Sequence, residues 1–168
     1  MQERKYHAPS FFPFLLAILV LVGQFFLMWF LPRPEWLNHS SSLRWLQNIL
    51  AWGVWSTSMY FLFAPVFILR SRGGVARKAS YVETQKLVTG GLYGVVRHPQ
   101  YLGWLLMYLA MICFNPHFLC LVCGICGMGL MILITHLEDR HLVEKFGNAY
   151  RRYKSEVPAL NLFLGLLR

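Results

Sequence analysis

Apolar residues in this chain fall into long unbroken runs separated by short polar interruptions. They follow neither the alternation of a half-buried strand nor the stripe of a soluble helix. The first run, residues 11–31, carries no charge and is closed by Pro32 and Pro34. It matches the ~20 residues that cross a bilayer core as a helix. Arg4 and Lys5 precede it, as in a signal peptide. The run is nevertheless longer than a ~7–15-residue signal core, and no small-x-small site follows, so it reads as an anchor helix. The second run is 45–69, with Pro65 placed to kink its final turns. The third, 101–114, ends at an Asn115-Pro116 turn. At that length it either recruits residues around His98 or stops short of the far surface. The fourth is 118–137, so the third and fourth read as a helical hairpin. Gly124, Gly127 and Gly129 would permit close approach within it. Beyond Leu137 the character changes. Glu138-Asp139-Arg140 opens an amphipathic segment with Leu142, Phe146, Tyr150 and Tyr153 on one face, ended by Val157-Pro158. The apolar tail 160–167 suits a membrane interface. The expected fold is all-α: a multi-pass transmembrane helical protein of about four spans, with a C-terminal helical hairpin and an amphipathic cytosolic helix. Residues 1–168 form a single membrane domain, with two anchor spans in 1–70.

Composition sharpens this picture. The chain is 57% hydrophobic and 14% charged, against roughly a quarter charged in a soluble domain. The net charge of +9 would suggest nucleic acid in a soluble protein. Here the basic residues flank the apolar runs, which points to topology and anionic headgroups, with no nucleic-acid partner. With four spans, every one of the 16 Lys and Arg residues except Arg33 and Arg44 lies on one side. By the positive-inside rule that side, holding both termini and the 70–100 segment, is cytoplasmic. Cys120, Cys123 and Cys126 recur every third residue, with Cys113 before them. They sit in an apolar run without His or acidic neighbours, and read as small buried hydrophobes, so no metal site is expected.

Candidate chemistry is confined to the polar stretch 70–103 and above all to 85–103. Thr89-Gly90-Gly91 and Gly94 allow sharp turns. Arg97, His98, Gln100 and Tyr101 then place polar groups at the mouth of the third helix, with Pro99 in its first turn. Free backbone N–H groups at that helix start suit a carboxylate or phosphate. The competing reading is a loop that anchors headgroups. The glycines match neither a Rossmann fingerprint nor a P-loop, and no nucleophile–base pair is evident. A tight hairpin returns Glu138 to the membrane face that holds His98. A carboxylate there suits a ribose hydroxyl or a cation, or is simply solvated at a helix end.

These residues resemble a known family. Arg97-His98-Pro99-Gln100-Tyr101-Leu102-Gly103, a hydrophobic hairpin and then Glu138-Asp139 is similar to the signature of isoprenylcysteine carboxyl methyltransferases, a form of which phospholipid methyltransferases share. Leu87-Val88-Thr89-Gly90-Gly91-Leu92-Tyr93 upstream is similar too, as are Asn115-Pro116 at the turn and Glu144-Lys145-Phe146-Gly147, Tyr150, Tyr153 and Val157-Pro158 downstream. The resemblance covers about 85–158; the first two spans are generic. It implies a methyltransferase-like, cofactor-binding part in 71–168 and an S-adenosyl-L-methionine pocket on the cytosolic side. The cofactor would be held by Gln85, Lys86, Leu87, Val88, Tyr93, His98, Pro99, Gln100 and Tyr101, and completed by Glu138. The isoprenylcysteine enzymes place an arginine about a turn before the acid, facing the substrate carboxylate. Ile134 stands there in this chain, beside Thr135 and His136, which favours an amine, thiol or neutral lipid nucleophile.

The expected activity is therefore methyl transfer from S-adenosyl-L-methionine to a lipophilic acceptor entering from the bilayer, with membrane lipids around it. Protein-S-isoprenylcysteine O-methylation, phospholipid N-methylation and thiol S-methylation are the chemistries that the resemblance offers. An activated sulfonium needs alignment and dryness more than a nucleophile, so no catalytic residue is assigned. Two other classes compete: an NADPH-dependent enzyme like the membrane sterol reductases, which share a similar C-terminal half, and a non-catalytic membrane scaffold. The acceptor and the oligomeric state are not legible in the sequence.

Overall fold

The computed structural model describes residues 11–38, 40–74 and 84–167, and these are helices and connecting segments with no strand. Parts of the 70–103 stretch, residues 75–83, and the N-terminal basic residues lie outside the described residues. Helix α1 spans Phe11–Phe30, α2 Glu35–Asn38, α3 Ser41–Arg72 and α4 Leu92–Val95. They are followed by α5 Pro99–Phe114, α6 Phe118–Phe146, α7 Asn148–Glu156 and α8 Leu162–Leu166.

Three helices are long and apolar enough to cross a membrane: α1, α3 and α6. The third apolar run forms α5, which begins at Pro99 and has 16 residues, or about 24 Å of helix. That is less than a ~30 Å hydrocarbon core. It does recruit residues next to His98, which becomes its N-cap. Pro65 is accommodated inside a continuous α3.

Helix α5 is the central element. It packs along α3 on one side and α6 on the other, while α1 lies against α6 and touches α5. Two close approaches explain why these helices can meet. A side chain at Gly103 would run into the α3 backbone at Leu62, and the Gly103 carbonyl accepts a hydrogen bond from Ser58 Oγ at 2.9 Å. A Cβ on Gly127 would overlap the Tyr108 ring. Gly124 is similarly crowded, by Ile112 and Gln24, but Gly129 faces open space and takes no part in the contact.

Polar pins hold α1, because helices surrounded by lipid gain little from burying apolar surface against one another. Gln24, fully buried, donates from Nε2 to the carbonyls of Tyr108 and Cys120, and Tyr108 donates its hydroxyl to the Ala17 carbonyl. The lone Gln24 in an apolar run was the sequence signal for this docking.

The C-terminal region departs from a single amphipathic helix beginning at Glu138. Helix α6 continues unbroken through Glu138-Asp139-Arg140 to Phe146. The chain then turns at Gly147 (φ 59°) into a separate α7. A backbone at positive φ is strained for residues with a Cβ, so the apolar positions on either side of Gly147 belong to two helices at an angle.

Candidate functional site

Four segments meet where α5 begins. Residues 84–86 are tied back to the end of α3, since the Gly73 carbonyl accepts the N–H groups of Gln85 (2.9 Å) and Lys86 (3.0 Å). The tail after α7 runs underneath: Pro158 and Ala159 carbonyls accept the N–H groups of Arg97 (2.9 Å) and His98 (3.1 Å). Tyr153 of α7 donates its hydroxyl to the Tyr93 carbonyl. The result is a cavity of about 320 Å³ among the ends of α1, α3, α5 and α6, with Tyr150 and Tyr153 of α7 also in its lining. That volume falls within the ~300–1,000 Å³ of ligand sites.

Of the residues singled out in the sequence, Lys86, Leu87, Val88 and Tyr93 line this cavity, as do His98, Pro99, Gln100, Tyr101 and Glu138. Gln85 does not; its side chain is exposed and only its backbone is engaged. Lys86, Arg97 and Lys145 bring positive charge to the lining, and Glu138 brings a carboxylate. An apolar wall of Phe11, Phe14, Leu69 and Trp104 completes it, with Phe14 edge-on to Trp104 at 5.9 Å between ring centres. Helix α1, generic by sequence, thus contributes directly to the cavity.

Beneath the lining lies a buried cluster that sequence reasoning missed. Asp139, two residues past the apolar stretch of α6, is 4% exposed. Its Oδ1 is 2.8 Å from His98 Nε2 and accepts the Tyr150 hydroxyl. Its Oδ2 meets Arg97 Nη2 at 3.3 Å and Lys154 Nζ at 3.1 Å. Burial alone would raise the Asp139 carboxyl. Hydrogen bonds from His98 and Tyr150, with the charges of His98 and Arg97, outweigh it and hold the group well below the ordinary carboxylate range. Burial, then the Asp139 hydrogen bond and charge, push the Tyr150 hydroxyl far above its usual value. Tyr153 is raised as well, chiefly by burial. Both tyrosines therefore act as neutral donors. Of two adjacent acids, the sequence directed attention to Glu138, but helical rotation sends Glu138 to the cavity and Asp139 into the protein. The spacing of Asp139, Tyr150 and Lys154 hinted at this only if the turn at Gly147 were known.

The cluster leaves one group open. Arg97 donates from Nη1 to the Lys154 carbonyl at 3.3 Å and pairs through Nη2 with Asp139, while its buried Nε has no partner among the described residues. A buried unpaired N–H calls for an acceptor, and Arg97 lines the cavity.

Residues 46–149 match the phospholipid methyltransferase family, a stretch of more than half the chain that contains the whole α5–α6 unit. The chain belongs to this family. It is 30% identical over 151 residues to methanethiol S-methyltransferase 2 of Bradyrhizobium diazoefficiens, covering 87% of this chain and 56% of that enzyme. It is 34% identical over 86 residues to human protein-S-isoprenylcysteine O-methyltransferase, covering 45% of this chain and 27% of the other. The Delta(14)-sterol reductase LBR of Gallus gallus is 34% identical over 98 residues, 54% of this chain but 15% of that protein. The chain thus spans about half the length, or less, of these curated relatives. No solved structure matches. Family membership and three apolar helices of spanning length make this an integral membrane protein.

Proposed function

We propose that the protein transfers the methyl group of S-adenosyl-L-methionine to a neutral lipophilic acceptor, an amine or a thiol, that reaches the cavity from the bilayer. One observation carries this reading: charged side chains (Lys86, Arg97, Glu138) and large apolar ones (Phe14, Trp104) line one and the same cavity. The residues present fit such a donor. Lys86 and the unpaired Arg97 Nε suit its carboxylate, Glu138 suits the ribose hydroxyls, and the aromatic rings of Tyr93 and Tyr101 offer apolar faces to the base. Leu87, Val88, His98, Pro99 and Gln100 complete the proposed contacts, and Gln85, outside the lining, acts by tying its segment to Gly73 through its backbone.

The donor supplies an already activated methyl group, so the chain's task is alignment and exclusion of water. Asp139 holds Arg97 and His98 in the cavity lining. Helix α7 is anchored beside them through the Tyr150 and Tyr153 hydroxyls. Phe11, Phe14, Leu69 and Trp104 would seat the apolar acceptor. Ile134, fully buried against Ala17, Tyr108 and Met131 rather than in the lining, offers no cation to an acceptor carboxylate. The methanethiol S-methyltransferase that matches along most of this chain supports a thiol acceptor. Positive-inside topology supports a cytoplasmic cavity.

Calorimetry of the purified protein in detergent tests the reading. S-adenosyl-L-methionine should bind the wild type, and Glu138→Ala should weaken it about tenfold, as loss of a charge-assisted hydrogen bond does. No binding to either form, or stronger binding of NADPH in competition, rejects it. Labelled methyl donor in cells, followed by lipid and small-thiol analysis of wild-type and Glu138→Ala strains, would identify the acceptor.

A further inference from the structure

The bundle has a second cavity at its opposite end, about 590 Å³, where α1 ends, α3 begins and α5 stops. Helix α5 separates it from the first by its 16-residue length, about 24 Å. Its walls are aromatic. Trp52 stands edge-on to both Trp55, at 5.4 Å between ring centres, and Phe114, at 5.2 Å, and Trp29 faces them from α1. An aromatic wall alone would be only the interfacial belt of a membrane protein. Two polar features make this one different.

Asn115 lines the cavity and is 2% exposed. Its Nδ2 is fully used, donating to the carbonyls of Met28 and Leu31 at 3.0 Å each, which fixes the amide's orientation. Its Oδ1 is buried and has no partner among the described residues. It awaits a hydrogen-bond donor. Arg33, also in the lining, is exposed and has no acidic partner among the described residues. It is one of only two basic residues that the four-span reading puts on this side. A ligand here must therefore be apolar over most of its length, carry an anionic group for Arg33 and present a donor to Asn115.

We infer that this cavity holds a glycerophospholipid of the leaflet opposite the first cavity, its acyl chain against Trp52 and Trp55, its phosphate on Arg33 and a headgroup donor on Asn115 Oδ1. Arginine matches phosphate oxygens with two N–H groups. Occupancy would add to the bridges already at this end, where Gln47 of α3 donates to the Cys113 and Phe114 carbonyls and Asn115 to those of Met28 and Leu31.

Native mass spectrometry of the delipidated full-length protein in maltoside detergent tests this. The lipids compared are phosphatidylglycerol, phosphatidylcholine and diacylglycerol with identical acyl chains. Phosphatidylglycerol should be retained about tenfold better than diacylglycerol and several-fold better than phosphatidylcholine, which lacks a donor. Arg33→Gln should erase the preference over diacylglycerol, Arg33→Lys should keep most of it, and Trp55→Ala should lower retention of all three lipids. Equal retention of the three lipids, an unchanged preference in Arg33→Gln, or full displacement by millimolar inorganic phosphate would overturn the inference. Arg33 is exposed, so its variants leave the fold intact. The readout is lipid retention, independent of whether methyl transfer occurs.

Discussion

Asp139 is the residue on which the candidate site turns. It is a buried carboxylate with four partners, Arg97 and His98 at the entrance to α5 and Tyr150 and Lys154 of α7, and removing its charge strands Arg97 in a low-dielectric interior. Asp139→Asn should cost about 3–5 kcal/mol of stability, the usual consequence of breaking a buried pair from one side, read as a lower melting temperature in detergent. Its pH dependence has a definite sign. The folded carboxyl takes up its proton only well below the ordinary value of 3.8, so the unfolded chain binds that proton first as pH falls. The stability it contributes is complete above pH ~4 and is lost as pH falls further, through the depressed value. The melting gap between wild type and Asp139→Asn should accordingly stay constant from neutral pH down to about 5 and narrow only in stronger acid. A gap that closes near pH 7 would exclude this role.

Among the elements, the contact between α5 and α6 shows how much depends on residues without side chains. Gly127→Ala pushes a methyl into the Tyr108 ring, whose hydroxyl pins α1 through Ala17. Overpacking of this kind costs about 1–3 kcal/mol. Gly129→Ala, in open space two residues away, should leave stability unchanged or slightly raised. The pair of variants, compared by thermal denaturation in one detergent, separates packing from helix propensity. The four apolar runs were legible in the sequence because their length and charge content follow directly from what a bilayer demands. What the runs did not show was where α6 ends. Glu138 and Asp139 mark a change of polarity, but backbone hydrogen bonding carries the helix on to Phe146, and only the left-handed Gly147 breaks it.

For the molecule as a whole, the cavity couples parts that are far apart in sequence. Phe14 of α1 and Trp104 of α5 form the apolar wall, while Lys86 and Glu138 stand in the charged part. If Phe14 and Trp104 seat the acceptor while Lys86 and Glu138 hold the donor, Phe14→Ala should raise KM for a lipophilic acceptor several-fold and leave the Kd for S-adenosyl-L-methionine unchanged. A change in both would place Phe14 against the donor. The sequence by itself determined that the chain is helical and that it lives in a membrane, and it pointed to residues near 85–101 and 138, most of which line one cavity. Those conclusions rest on local properties: run length, charge bias and motif spacing. Tertiary structure decided which of two neighbouring acids faces the cavity, that α1 builds part of the wall, and that Tyr150 and Lys154 close on Asp139. These depend on helix rotation and on the angle at Gly147, and neither is encoded in any single segment.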